Sequence, residues 1–172
     1  MSAEIINAVR EDYPALRFIG KRYTNADCDP VTGMFSNKWE QWHSEGLFGA
    51  LAGHANPAPE HGDSCLAFMG ADGEEFEYWI GIFFPEGTPV PDGFDVADIP
   101  ALSAGVCYIK GTEPDIYLQH DRCVAELLAE EITASTDLAK PRRWFAFERY
   151  SCPRYTEPDG QGNVILDYGI VV

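Results

Sequence analysis

Apolar residues recur in two different rhythms along this 172-residue chain. Leu16 to Tyr23 (LRFIGKRY) reads as a strand interrupted by Gly20. A glycine inside a strand points to a bulge or to close approach of another backbone. Asn25 to Pro30 is turn-rich. From about Thr32 to Ala52 the rhythm becomes helical: Phe35, Trp39, Trp42, Leu47, Phe48 and Leu51 follow one stripe, predicting a single helix. Ala55 to Gly62 has no period and reads as a loop. Ser64 to Met69 is predicted as a short strand, Gly70 to Gly73 as a hairpin turn, and Phe76 to Phe84 as a strong strand with Gly81 inside it.

Pro85 to Pro100 holds four prolines and two glycines and reads as a connector. Ala101 to Lys110 is predicted as a strand around Gly105. Ile116 to Thr133 is predicted as a helix, with Val124, Leu127, Leu128 and Ile132 on its apolar face. Ala134 to Pro141 leads out of it. Arg143 to Tyr150 is a strand, Cys152 to Asn163 a long turn region, and Val164 to Val172 the last strand. The order is β-α-β-β, connector, β-α-β-β.

The two halves echo each other. Gly20 and Gly105 interrupt the first strand of each half, and Gly81-Ile82 and Gly169-Ile170 close each half at nearly the same interval. Agreement of sequence landmarks with element order points to an internal duplication. The expected fold is α+β: duplicated β-α-β-β units form a mostly antiparallel sheet with two helices and a central ligand cleft. One domain is expected over residues 1–172, with halves at about 1–90 and 95–172.

Composition narrows the function classes. Twelve Lys+Arg against 28 Asp+Glu give a formal charge of −16. Direct nucleic-acid binding needs a basic patch, and the few cations here are scattered. An anionic membrane surface is disfavoured for the same reason, and no apolar run approaches the ~18 residues of a spanning helix. The 45% apolar content argues against disorder. Met1 to Arg10 lacks the basic start and apolar run of a secretion signal. Five cysteines, an odd number without any C-x-x-C, fit reduced thiols, so a cytoplasmic location is expected. The four histidines form no metal-ligand spacing, and no metal or other cofactor is expected.

The strand Arg143 to Tyr150 holds the most informative chemistry. Strict alternation puts Trp144, Ala146, Glu148 and Tyr150 on one face. Two aromatic rings, one small residue and one carboxylate describe a flat pocket with a single anionic group, suited to a cation. The competing reading is a surface Glu148 bridging to Arg149 or Arg154. Tyr78 and Tyr168 are near-equivalents in the two halves and could wall the same pocket, or simply pack the strands. Trp39 and Trp42 sit at helical spacing, suited to anchoring their helix, with Trp39 a further candidate wall.

These segments together resemble the GyrI-like, or bacterial effector-binding, domain. The resemblance spans about Leu16 to Val172. It rests on Arg17-Phe18-Ile19-Gly20-Lys21-Arg22-Tyr23, on Ile99-Pro100-Ala101, and on Trp144 to Tyr150, where Phe147-Glu148-Arg149-Tyr150 matches the family's closing pattern. The resemblance implies a cleft for bulky hydrophobic, aromatic or cationic small molecules. A buried glutamate at Glu148 would meet the ligand's charge, and Tyr78, Trp144, Tyr150, Tyr168 and Trp39 would wall it. It leaves three activities open: a binder, a hydrolase of cyclopropane-bearing compounds with Glu148 catalytic, or an inhibitor that docks on a larger protein partner. A homodimer is compatible with each. No helix-turn-helix is expected, a departure from the regulator members of that family.

Overall fold

A computed structural model describes residues 3–135 and 141–172. Most of the predicted exit segment Ala134 to Pro141 therefore lies outside the described residues. Eight strands form one sheet in the order β1-β6-β8-β7-β3-β4-β2-β5, and every pairing is antiparallel. They are β1 (Glu4–Tyr13), β2 (Leu16–Tyr23), β3 (Ser64–Asp72), β4 (Glu75–Pro85), β5 (Asp95–Ile99), β6 (Leu102–Gly111), β7 (Arg142–Ser151) and β8 (Val164–Val171). Three α-helices accompany them: α1 (Ser36–Ser44), α2 (Leu47–His54) and α3 (His120–Ala129). The α+β class is as expected, and each half repeats the expected β-α-β-β order behind one further strand, β1 or β5, that was not; α1 and α2 stand where one helix was expected, giving three α-helices in place of two. None of the described helices is long and apolar enough to cross a membrane.

Topology forces the sheet to curl. β1 lies at one margin and β2 is next to the other, yet only Pro14 and Ala15 join them. The opposite margin, β5, returns to β6 through Pro100 and Ala101. Both margins therefore meet, and Tyr13 and Ile99, one from each, share a core cluster with Phe18, Leu66, Phe68 and Phe147. This cluster lies on the concave face. Each fully buried ring or branched chain there contributes roughly 1.5–3 kcal/mol.

The convex face holds the helices in two groups. Ile19, Trp42, Leu51, Tyr78 and Phe84 pack α1 and α2 on one half. Cys107, Ile109, Cys123, Leu127 and Leu166 pack α3 on the other. Tyr150 packs against both groups.

Several boundaries differ from expectation. The predicted helix over Thr32 to Ala52 is two helices, because Gly46 adopts φ 66° and turns the chain between them. The predicted turn Gly70 to Gly73 is mostly strand: β3 runs to Asp72, and Gly73, at φ 61°, makes the reversal. The connector Pro85 to Pro100 contains β5. The helix predicted over Ile116 to Thr133 begins as a 3-10 turn at Asp115–Leu118 and its α part ends at Ala129. Cys123 and Leu127 face its core, whereas Val124 and Leu128 are exposed.

Candidate functional site

Glu148 lies on β7 directly opposite Ala67 of β3 and Tyr168 of β8. It occupies the convex face, under the seam between the two helical groups. Tyr150, two residues on, keeps the same face and donates its hydroxyl to the Glu148 carboxylate. Glu148, Tyr150 and Tyr168 are each half-buried. The Arg149 and Arg154 bridges considered from sequence do not form. Arg149 points to the concave face, donating to Asp167 at 2.7 Å and to Glu11 at 3.2 Å. Arg154 also binds Asp167, at 2.8 Å through Nε.

Each wall of the seam is set by its own element. On one side, α1 presents Trp39, whose Nε1–H donates to the Tyr78 hydroxyl at 2.9 Å and whose ring meets Tyr150 edge-on at 4.7 Å. Phe35 stacks on Tyr78 with ring centroids 4.2 Å apart. On the other side, the Tyr168 hydroxyl lies 2.9 Å from His120 Nδ1 at the start of α3. Tyr155 meets Tyr150 edge-on at 4.7 Å, shares a hydroxyl bond with Tyr117 at 2.6 Å and donates to Glu113 at 2.5 Å. Aromatic edges and faces thus surround one carboxylate.

Burial pushes the Glu148 carboxyl above the ordinary carboxylate range, and the Tyr150 hydroxyl bond offsets this only in part. Burial also raises Tyr78, Tyr150 and Tyr168, and the nearby Glu148 charge adds to each. The Glu148 charge acts on Tyr155 in the same direction. Among the described residues no cation forms an ion pair with Glu148. No group of metal-ligating side chains occurs among them either.

Trp144 departs from the predicted constellation. The β3–β7 register slips between Met69 and Gly70, so Met69 faces Ala146 while Gly70 faces Trp144. Phe145 is the extra residue, and the bulge carries Trp144 to the concave face. There its ring stacks on Phe68 at 4.5 Å, fitted over Gly70, where a Cβ would come within 2.8 Å of the indole. Glu148, Tyr78, Tyr150, Tyr168 and Trp39 are brought together; Trp144 is not. Sequence reasoning missed Phe35, Tyr117, His120 and Tyr155. Phe35 was on the predicted helical stripe, the one available signal; the others sit in irregular segments or at a helix start, where no period exists.

No family model matches the chain, and no curated protein matches its sequence. Solved structures do match. A candidate bacterial transcription regulation protein from Staphylococcus aureus MU50 is 16% identical, with 96% of this chain and 97% of that one covered, at a TM-score of 0.66. SAV2435 bound to tetraphenylphosphonium is 14% identical over 97% of this chain and 94% of that one, at a TM-score of 0.70. The EcmrR C-terminal domain is 14% identical over 96% of both, at a TM-score of 0.57. At such identities the likeness establishes the shared fold.

Proposed function

We propose that this protein is a GyrI-like binder of bulky aromatic cations, held in the seam between its two halves with Glu148 facing their charge. The observation that supports this best is the half-buried Glu148 carboxylate, ringed by Tyr78, Tyr150, Tyr168 and Trp39 and paired with no cation among the described residues. A desolvated carboxylate without a counter-ion is costly. A hydrophobic cation relieves that cost and stacks its rings on the walls. That a structure of the same fold is bound to tetraphenylphosphonium, a cation of this kind, supports the reading.

The test is a titration with tetraphenylphosphonium followed by tryptophan fluorescence, since Trp39 is part of the wall. The wild type binds saturably. Glu148→Gln keeps the shape but removes the charge, and weakens binding about 10- to 100-fold, equivalent to about 1.4–2.8 kcal/mol. Unchanged affinity in that variant removes Glu148 from the site. Continuous product formation from an electrophilic cyclopropane, lost in the same variant, assigns the seam to hydrolysis instead.

A further inference from the structure

Glu148 is not the only carboxylate tied to the aromatic wall of the seam. Glu113 lies between β6 and α3, and its carboxylate accepts the Tyr155 hydroxyl at 2.5 Å. Tyr155 gives its one hydroxyl proton to Glu113, so Tyr117 donates to the Tyr155 oxygen, 2.6 Å away. The Tyr155 ring in turn meets the Tyr150 ring edge-on, and the Tyr150 hydroxyl donates to Glu148. An unbroken line of contacts therefore joins one carboxylate to the other through two phenols. Their separation cannot exceed two phenols and the attached hydrogen bonds laid end to end. Electrostatics agree with this placement. Burial raises the Tyr155 hydroxyl above its ordinary pKa, and the Glu113 and Glu148 charges both add to the shift.

The two ends of this line differ in exposure. Glu148 is half-buried at the inner end, Tyr155 and Tyr117 are half-buried between, and Glu113 is exposed at the outer end. Among the described residues no cation forms an ion pair with either carboxylate. A single charge bound at Glu148 leaves the outer carboxylate unanswered. A second cationic group on the same molecule would meet Glu113 beside the electron-rich rings of Tyr155 and Tyr117.

We propose that Glu113 reads a second positive charge, so that the seam prefers elongated aromatic dications, with their charges one or two rings apart, over monocations of the same shape. The inference rests on the reading of the seam as a cation site and names the ligand class within it. Glu113 acts here as a specificity-determining residue, and Glu148 remains the anchor for the first charge.

The test is calorimetric titration of the full chain with two matched pairs of ligands. Benzyltrimethylammonium and p-xylylene-bis(trimethylammonium) share one ring and differ by one charge; the corresponding biphenyl compounds do the same over two rings. In at least one pair the dication binds about three- to tenfold more tightly, the range of one exposed ion pair with a neighbouring aromatic ring. Glu113→Gln, whose amide oxygen can still accept the Tyr155 hydroxyl, removes most of that gain and leaves the monocation's affinity unchanged. Glu86→Gln, also at an exposed position and equal in the charge it removes, keeps the gain. Glu148→Gln weakens both members of the pair. No gain in either pair, a gain that survives Glu113→Gln, or one lost equally in Glu86→Gln overturns the proposal. So does a monocation weakened by Glu113→Gln as much as the dication, since Glu113 would then only hold Tyr155 in place. If Glu148→Gln weakens neither member, the seam reading falls as well; if it weakens the monocation and no gain is seen, this inference fails alone.

Discussion

At the scale of single residues, Glu148 ties function to pH. Its folded-state pKa lies above its ordinary value near 4.5 because burial disfavours the charge. In the free protein, then, the folded state holds this proton more tightly than the unfolded chain. The group's contribution to stability is fullest at low pH and is lost as pH rises through the raised pKa. A bound cation reverses the preference, since it needs the ionised form. Affinity for tetraphenylphosphonium is therefore highest above the raised pKa and falls by up to about tenfold per pH unit below it. Glu148→Gln gives a flat profile over the same range. Titrations at a series of pH values check this, and a wild-type profile as flat as the variant's would separate Glu148 from the ligand. The Glu148–Tyr150 pair was legible because two-residue alternation holds between them. Trp144 was not, since nothing in RRWFAFERY announces that Phe145 is an inserted residue. Tyr155 sits in a turn region, where position depends on tertiary packing alone.

At the scale of elements, the glycines explain both what could be read and what could not. Gly20 inside β2 indicated a bulge or a close backbone, and the second holds. Gly20 faces Gly81 of β4, and a Cβ on either would reach a carbonyl oxygen of the other strand at 2.0 or 2.2 Å. Their counterparts do different work. Gly105 makes room for Leu127 of α3, and Gly169 accommodates the Phe147 ring. Gly169 pairs with Val106, not with Gly105, so the duplicated halves have drifted by one register. Gly81→Ala must push β2 and β4 apart and is expected to cost about 1–3 kcal/mol or more. Gly49→Ala, on α2 with no atom near an added Cβ, is expected to add up to about 1 kcal/mol of stability. Urea denaturation of the two variants checks the contrast, and equal midpoints would contradict it. The unpredicted strands β1 and β5 are both sheet margins. A margin strand pairs on one side and tolerates charge, so EIINAVREDY and DVADI lack the apolar signature of interior strands.

For the whole molecule, the duplicated order was visible in sequence, but the curl that gives the sheet two chemically different faces was not. It follows from two short links, Pro14-Ala15 and Pro100-Ala101, only once the strand order is known. The curl separates two charge arrangements that composition lumps together. Glu77 and Asp167, both fully buried on the concave face, each bind two arginines. Glu148 lies on the convex face and binds none among the described residues. The charge of −16 therefore acts on an incoming cation as a diffuse field plus one local carboxylate. Salt distinguishes the two, because the Debye length falls from ~30 Å at 0.01 M to ~8 Å at 0.15 M. The association rate of tetraphenylphosphonium is expected to fall several-fold over that range, since approach depends on the diffuse field. The dissociation rate, set by contacts inside the seam, changes little. Glu148→Gln does the reverse: it raises the dissociation rate and leaves the salt dependence of association nearly intact, because 15 of the 16 net charges remain. Stopped-flow fluorescence at several salt concentrations reads both rates. A salt dependence that disappears with Glu148 would mean that the steering field arises from the seam itself and not from the acidic surface.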